Sequence, residues 1–257
     1  MGNNDYLEFG FGSGDENLGG GKFTRFKGKE GEKYRMSFVW WRTKADGTPN
    51  LDPTLTVDGK EVPNSPKFVG AKRFFIQNVG YFLDKGPEYA KIAGGPSKVT
   101  VGTVICCWPI DRKGQLDKAR FAEGDCDVLP WVFSKDRYDE LARRNDEFSF
   151  TTCDLNVTCT DTQFQKMDTT PCRESLFRKC LENEKLRHIS TGILAKVAQI
   201  VGANEKGEPM GLRDMIARDM SIDKIREKMG GGSASSSSHT PHTTMQVDDI
   251  LDDLVDP

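Results

Sequence analysis

Residues 33–41 have the sequence Lys-Tyr-Arg-Met-Ser-Phe-Val-Trp-Trp, and this run decides the fold class. Polar and apolar residues alternate along its first part, which is typical of a strand with one polar face. Residues 22–27 predict a strand of similar character, and turn signals such as Asp46-Gly47 separate several further strands. Those further strand candidates are 54–58, 72–83, 98–108, 126–133 and 150–159. Because five or six strands precede any long helix, the sequence predicts a mainly β, α+β fold built on a closed antiparallel barrel.

Helical patterns begin later in the chain. Ser134 is a candidate N-cap for a helix that places Tyr138 and Leu141 on one face. Residues 173–201 carry apolar side chains at helical spacing, and two shorter helices are predicted at 211–219 and 222–228. The helical part of the fold is therefore expected at about 173–229.

Composition divides the chain into four parts. Residues 1–21 are rich in Gly, Asn and acids and predict a flexible N-terminal arm, and 22–229 form the folded body. Residues 230–244 are a Gly/Ser-rich stretch that buries too little apolar surface to fold, so a disordered linker is expected. Residues 245–257 form an acidic tail in which apolar residues alternate with aspartates.

The charge of the whole chain hides an asymmetry. The chain carries 36 Lys and Arg against 39 Asp and Glu. Five of these acids lie in 231–257, which has no Lys or Arg, so 34 acids remain against 36 basic residues in 1–230. Seven cysteines in 257 residues fit reduced thiols in a cytosol rather than a disulfide framework. No apolar run is long enough to span a membrane, and a cytoplasmic location is expected, in the host cell if the protein is viral.

Basic and aromatic residues are concentrated in the first strands. Segment 22–44 holds eight basic residues and two acids, with six aromatic residues among them, and 72–82 repeats the mixture. Cations along a groove and aromatic faces for the bases are what single-stranded nucleic acid requires. The predicted DNA-binding residues are Lys22, Arg25, Lys27, Lys33, Tyr34, Arg35, Phe38, Trp40, Arg42, Lys72, Arg73, Phe75, Tyr81 and Trp108.

Strand geometry limits how many of these aromatic rings can stack on bases. Because side chains alternate across a strand, Trp40 and Trp41 point to opposite faces, and so do Phe74 and Phe75. At most one member of each pair can be a stacking platform. A second interpretation stays open, since aromatic residues in strands are usually core residues and a basic strand face is often only solvated.

The tail combines charge with apolar side chains. A negative tail can compete with phosphates for a basic groove, and its apolar residues can be recognised by partner proteins. The predicted partner-binding residues are Asp248, Asp249, Ile250, Leu251, Asp252, Asp253 and Leu254.

A strand-rich body, a Gly/Ser linker and the terminal Met-Gln-Val-Asp-Asp-Ile-Leu-Asp-Asp-Leu of 245–254 together resemble the single-stranded DNA-binding proteins of bacteria and tailed phages. Segments 104–111 and 154–166 resemble the phage type more closely. The resemblance implies an OB-like barrel of five to six strands, single-stranded DNA as ligand, and a tail that recruits replication and recombination proteins such as a polymerase, helicase or primase. The tail differs from bacterial ones because it ends Leu254-Val-Asp-Pro257 instead of in a Pro-Phe tip.

Four cysteines raise the question of a metal. Some phage relatives hold zinc, and Cys153, Cys159, Cys172 and Cys180, with His188 nearby, are the candidate ligands here. The five, twelve and seven intervening residues match no compact zinc knuckle, so buried thiols are the favoured interpretation and no cofactor is expected.

The sequence predicts no enzymatic activity. It contains no P-loop, no dinucleotide fingerprint and no H-E-x-x-H motif. The function predicted first is sequence-independent binding and protection of single-stranded DNA in replication, recombination and repair, by a protein that can be a homo-oligomer. A scaffolding protein with an acidic docking tail and an RNA-binding OB module are the alternatives.

Overall fold

The protein is described by a computed structural model in residues 6–9, 25–160, 166–202 and 211–230. The strands in these ranges are β1 (Tyr6–Phe9), β2 (Lys33–Phe38), β3 (Thr54–Val57), β4 (Lys60–Pro63), β5 (Phe68–Ile76), β6 (Gly80–Leu83), β7 (Lys98–Trp108), β8 (Asp127–Ser134), β9 (Leu155–Cys159) and β10 (Met167–Pro171). The helices are α1 (Pro87–Ala93), α2 (Lys118–Ala122), α3 (Lys135–Glu147), α4 (Leu176–Glu182), α5 (Arg187–Val201), α6 (Leu212–Ile216) and α7 (Ile222–Gly230).

Eight of the strands form one antiparallel sheet, in the order β1-β5-β7-β2-β9-β10, with β6 paired to β5 and β8 paired to β7. β3 and β4 form a separate hairpin. The long strand β7 organises the sheet: one of its edges pairs with β8, and the other pairs first with β5 and then with β2. The α+β class and the antiparallel pairing are therefore confirmed.

The predicted closed barrel is wrong. Among the described strands, β8 pairs only with β7, and β10 pairs only with β9. The irregular segment 25–32 runs from β8 to β9: Phe26 N–H donates to Pro130 O of β8 at 2.8 Å, and Gly31 N–H donates to Cys159 O of β9 at 2.9 Å, on the edge that β2 also uses. Gly31 has φ +74°, a backbone conformation that a strand does not adopt, so the segment does not continue β2 as a regular strand.

The inner face of the curved sheet holds an aromatic core. Phe38 from β2 stacks on Phe150 with ring centroids 4.6 Å apart, and Trp131 from β8 packs beside both Phe38 and Phe26. α3 closes this face, where Tyr138 meets Phe68 edge to face at 5.2 Å. Its N-cap is Ser134, as the sequence predicts, because the Ser134 side chain accepts the Arg137 N–H.

Helices cover the outer face of the sheet. α6 lies directly on Gly102 of β7, where a Cβ atom would be 2.9 Å from Leu212 Cδ1, so glycine allows this close approach. The helical pattern of 173–201 divides into α4, a 3₁₀ turn and α5, because Asn183 has an extended backbone and caps the turn through the Lys185 N–H. None of the helices in the described part of the chain is long and apolar enough to cross a membrane.

The β5–β6 hairpin extends beyond the main sheet and has a small core of its own. Phe74 and Phe82 pack there with Met220 and with Ile225 of α7. Residues 217–219 run along the free edge of β6, where Arg218 N–H donates to Tyr81 O at 3.1 Å. The hairpin is thus supported from its edge and from one face.

β1 lies within the segment predicted as a flexible arm. Its residues 6–9 pair with residues 68–71 of β5, on the same edge that β6 uses further along the strand. Gly230, predicted as the first linker residue, ends α7, while the rest of 1–21, residues 231–244 of the linker and the tail lie outside the described residues.

Candidate nucleic-acid interface

Three side chains form a layered group on the β5–β6 hairpin, which we call the platform: Arg73, Phe75 and Tyr81. The Arg73 guanidinium carbon lies 3.5 Å from the centre of the Tyr81 ring, and the Phe75 and Tyr81 ring centroids are 4.9 Å apart. Phe75 is 39% exposed, although it is a large apolar side chain. An exposed aromatic surface beside a cation has the chemistry that nucleobases use for stacking.

The register of the hairpin places these side chains together. Phe75 pairs directly with Tyr81, while the preceding pair, Phe74 and Phe82, points to the other face and is buried. The side chain of Arg73 is held in position because its Nη1 donates to the carbonyl of Ile216 at the end of α6, at 2.9 Å. The platform is therefore presented by paired strands with a packed core behind them.

The surroundings of the platform favour a negatively charged ligand. The hairpin sequence 72–83 contains Lys72 and Arg73 and no acid. Lys98 of β7 is exposed and is the direct neighbour of Arg73 across the strands, whereas Lys72 is exposed on the opposite face of β5, next to Asp84, whose N–H donates to the Lys72 carbonyl at 2.9 Å. The sequence prediction missed Lys98, because only the β5–β7 register brings it next to Arg73.

A second basic group lies at the far end of β7. Lys27 and Lys33 are exposed, and Arg25 is half-buried. Arg25 and Lys27 precede β2, and Lys33 is its first residue. Residue 35 of β2 pairs with Trp108, whereas the platform residue Arg73 pairs with Lys98. At about 3.3 Å per residue, these two ends of β7 are roughly 33 Å apart along the strand. The predicted residues thus form two separate groups instead of one continuous groove.

Three predicted stacking residues belong to the core. The exposed fractions of Phe38, Trp40 and Trp108 are 3%, 6% and 3%. Phe38 stacks on Phe150, Trp108 meets Phe121 edge to face, and the Trp40 ring is covered by the Lys67 ammonium at 5.4 Å. These rings offer no face to a nucleobase, so they are removed from the candidate interface.

Three more predicted residues have structural partners. The Tyr34 hydroxyl donates to Glu32 at 2.6 Å, and burial raises its pKa. Arg35 Nε donates to Asp154 at 3.1 Å, with its side chain 15% exposed. Burial lowers the pKa of the half-buried Arg42, whose Nη2 is among the buried atoms without a hydrogen-bond partner in the described residues. None of the three adds an exposed cation to the platform.

Asp154 is the most buried charged group connected to these residues. Its carboxylate accepts hydrogen bonds from Ser37, from Arg35 and from the Leu176 N–H at the start of α4. The Ser37 hydroxyl in turn accepts the Trp108 indole N–H at 2.7 Å. The network joins β2, β7, β9 and α4, which explains why Arg35 serves the fold.

The stability of the protein should depend on pH through Asp154. Burial raises the pKa of its carboxyl from 3.8 to about 6, and the hydrogen bonds only partly oppose this shift. Because the folded state binds the proton more tightly than the unfolded state, the stabilisation is present below about pH 4 and is lost as the pH rises through 6. We expect the free energy of unfolding to fall by about 3 kcal/mol over this window, relative to Asp154→Asn, in urea titrations. Parallel pH profiles of the two proteins would contradict this assignment.

The four candidate zinc ligands do not converge. Cys153 and Cys172 lie near each other, but Cys159 is at the opposite end of β9, and Cys180 is buried in α4. The described part of the chain holds no group of three or more His, Cys, Asp or Glu side chains that could bind a metal ion. His188 is exposed on α5.

The remaining predicted residues lie outside the described ranges. They are Lys22 and the tail residues Asp248, Asp249, Ile250, Leu251, Asp252, Asp253 and Leu254.

No family model, curated protein or solved structure matches this chain. The candidate interface therefore depends on the geometry of the described residues and on the sequence pattern.

Proposed function

We propose that the protein binds single-stranded DNA without sequence preference and protects it during replication, recombination and repair. The observation that carries the proposal is the platform, in which the exposed Phe75 ring lies beside the half-buried Tyr81 and Arg73. Stacking on a ring does not depend on which base is present, because every base has a π face. A platform of this kind supports binding to many sequences.

The two basic groups supply the electrostatic part of the proposal. Lys98 lies beside the platform on the same face as Arg73, and Lys27 and Lys33 lie at the other end of β7. Because α6 covers β7 at Gly102 between these ends, phosphates would contact each group separately. Each neutralised phosphate contributes to a salt-dependent affinity.

The acidic tail has two proposed roles. Its aspartates compete with DNA for the basic groups, and its apolar residues recruit replication and recombination proteins such as a polymerase, helicase or primase. The 15 residues 230–244 are rich in Gly and Ser, and flexible chains of such composition and length have a general end-to-end distance of roughly 20 Å, from about 5–6 Å times the square root of the residue number. α7 packs on the face of the hairpin opposite the platform. A tail joined to the end of α7 by this linker is therefore tethered close to the platform.

Binding is best measured by the fluorescence anisotropy of a labelled oligothymidylate. Tryptophan quenching is a poor reporter, because Trp40, Trp41, Trp108 and Trp131 are all buried. We expect binding at low salt that weakens steadily as salt rises, with a slope of about −0.7 per phosphate contacted. A slope near zero, or no binding at low salt, would reject the proposal.

Three further measurements test the role of the tail, the preference for DNA over RNA and the requirement for exposed bases. A chain ending at residue 244 is expected to bind more tightly at low salt, and unchanged affinity would reject competition by the tail. An oligouridylate of equal length tests RNA: tighter binding than to oligothymidylate would favour the RNA-binding alternative. A duplex of the same length is the control for simple charge attraction, and equal affinity for it would reject the role of exposed bases.

A further inference from the structure

The chain makes a tight turn at residues 111–115, just beyond the end of β7, which we call the basic turn. Asp111 N–H donates to Gln115 O at 2.7 Å, and Gly114 N–H donates to Asp111 O at 2.9 Å. Gly114 has φ +80°, and this arrangement is typical of a type I turn followed by a left-handed glycine. The hydrogen bonds of the turn therefore fix which two residues form its tip.

Two cations lie at that tip. Arg112 and Lys113 are the central residues of the turn, and both are exposed. The Asp111 carboxylate accepts the Lys113 N–H at 2.8 Å, and Asp117, the next acid along the chain, caps the N-terminus of α2. Within the described ranges, neither Arg112 nor Lys113 forms an ion pair. Both cations are thus directed to solvent, while the neighbouring carboxylates bind backbone N–H groups.

A third cation joins the basic turn from β2. A Cβ atom added to Gly114 would be 3.0 Å from Lys33 Cδ and 3.9 Å from Lys33 Cβ, so the aliphatic part of the Lys33 side chain runs along this glycine. Lys33 is exposed and is the first residue of β2. The sequence prediction included Lys33 but missed Arg112 and Lys113, because only the fold brings the turn next to β2.

The basic turn offers charge without an exposed apolar surface. The nearby rings of Trp108 and Phe121 are buried and meet edge to face at 5.4 Å. The large apolar side chains exposed in the described part of the chain are Phe75 and Met229, and neither lies in this turn. An amphipathic acidic peptide such as the tail needs apolar contacts as well as cations, whereas a phosphate needs only cations. The chemistry of the turn therefore fits a phosphate better than a peptide.

We propose that the basic turn and Lys33 form a second nucleic-acid contact, which binds backbone phosphates and does not read bases. This inference rests on the proposed function and assigns a ligand to the far end of β7. The Arg112 guanidinium can donate two parallel N–H bonds to one phosphate, and the ammonium groups of Lys113 and Lys33 act on neighbouring phosphates as point charges. The platform depends on bases, whereas the basic turn depends only on charge.

The test compares a labelled oligothymidylate with an abasic oligodeoxynucleotide of equal length, by fluorescence anisotropy over a range of salt concentrations. Arg112→Gln/Lys113→Gln should lower the magnitude of the salt slope by about 1.4, since each phosphate contact contributes about 0.7. Over a tenfold rise in salt, the wild type should therefore lose roughly 25-fold more affinity than this variant. The slope should fall equally with the abasic strand, because the contact involves no base.

The matched control is Lys224→Gln/Lys228→Gln, which changes the net charge equally on α7, on the face of the hairpin opposite the platform. It should keep the wild-type slope. An equal loss of slope in this control would indicate an effect of net charge and would overturn the proposal. A wild-type slope in Arg112→Gln/Lys113→Gln, with the fold checked by circular dichroism, would also overturn it, as would a change of slope seen with oligothymidylate but not with the abasic strand.

A chain that ends at residue 244 separates DNA from the tail as the ligand of the basic turn. Arg112→Gln/Lys113→Gln should lower the slope in this shortened chain as it does in the full chain. If the variant changes DNA affinity only in the full chain, the tail is the ligand and the proposal is wrong. Absence of binding by the wild type would reject the proposed function together with this inference, whereas wild-type binding with an unchanged slope in the variant would reject this inference alone.

Discussion

Replacing Phe75 and Tyr81 together by alanine is expected to weaken binding of oligothymidylate by at least an order of magnitude. A base stacked on an aromatic side chain contributes about 1–3 kcal/mol, which corresponds to roughly 5- to 150-fold in affinity for each stacked base. The two rings are 4.9 Å apart and form one surface with Arg73, so the double variant removes the whole aromatic part. Anisotropy titrations at fixed salt measure this change.

Because both changes remove stacking and leave every cation in place, the slope of affinity against salt should stay the same. A lower affinity with an unchanged slope separates stacking from phosphate contacts. Met229 is the control for loss of an exposed apolar side chain, since it is 45% exposed and lies on α7, which packs on the Phe74 face of the hairpin, opposite the platform, and Met229→Ala should bind like the wild type. Wild-type affinity in the double variant would remove the platform from the interface.

The sequence alone could indicate that Phe74 and Phe75 lie on opposite faces, because this depends only on neighbouring residues in one strand. The alternation of side chains along a strand separates Phe74 from Phe75, and the structure places one in a core and the other at the surface. The same rule could not say which of the two would be buried. That choice depends on Met220 and Ile225, which lie about 150 residues further along the chain and cover the Phe74 face.

The basic and aromatic cluster of 22–44 was harder to interpret for the same reason. Nothing near Arg35 in the sequence indicates that it pairs with Asp154, 119 residues away. Phe38 at the end of β2 stacks on Phe150, and Trp40, two residues beyond the strand, is covered by Lys67, so their burial is decided by distant packing. Composition identified which residues are basic and aromatic, while tertiary contacts decided which of them reach solvent.

The barrel prediction failed at one segment. The number of strands and the turn signals predicted a sheet curved into a barrel. The observed sheet is curved and has an aromatic inner face, which agrees with the curvature but not with closure. Closure requires pairing between β8 and β10, and the described structure shows none. The irregular segment 25–32, which includes Gly28 and Gly31, makes only three backbone hydrogen bonds to β8 and β9, at Phe26, Gly31 and Glu32.

The largest expected loss of stability comes from Asp154→Ala. The variant leaves Arg35 with a long hydrogen bond of 3.4 Å to the Glu174 carbonyl, and it removes the acceptor of both Ser37 and the Leu176 N–H. Removing one partner of a buried ion pair costs about 3–5 kcal/mol, because the other charge stays buried without compensation. Urea denaturation at pH 7 should show this loss, whereas Asp168→Ala, an exposed aspartate on the neighbouring strand β10, should change stability little.

A double variant tests whether the uncompensated charge is the cause. Asp154→Ala combined with Arg35→Leu removes both charges, and an apolar pair at a buried site is often as stable as the ion pair that it replaces. We therefore expect the double variant to be more stable than Asp154→Ala alone. It should also bind oligothymidylate with nearly wild-type affinity, because Arg35 lies at the far end of β7 from the platform and its guanidinium is committed to Asp154. If the double variant folds but binds many-fold more weakly, Arg35 belongs to the DNA-binding interface. If the double variant is no more stable than Asp154→Ala, the loss of stability comes from the lost hydrogen bonds of Ser37 and Leu176.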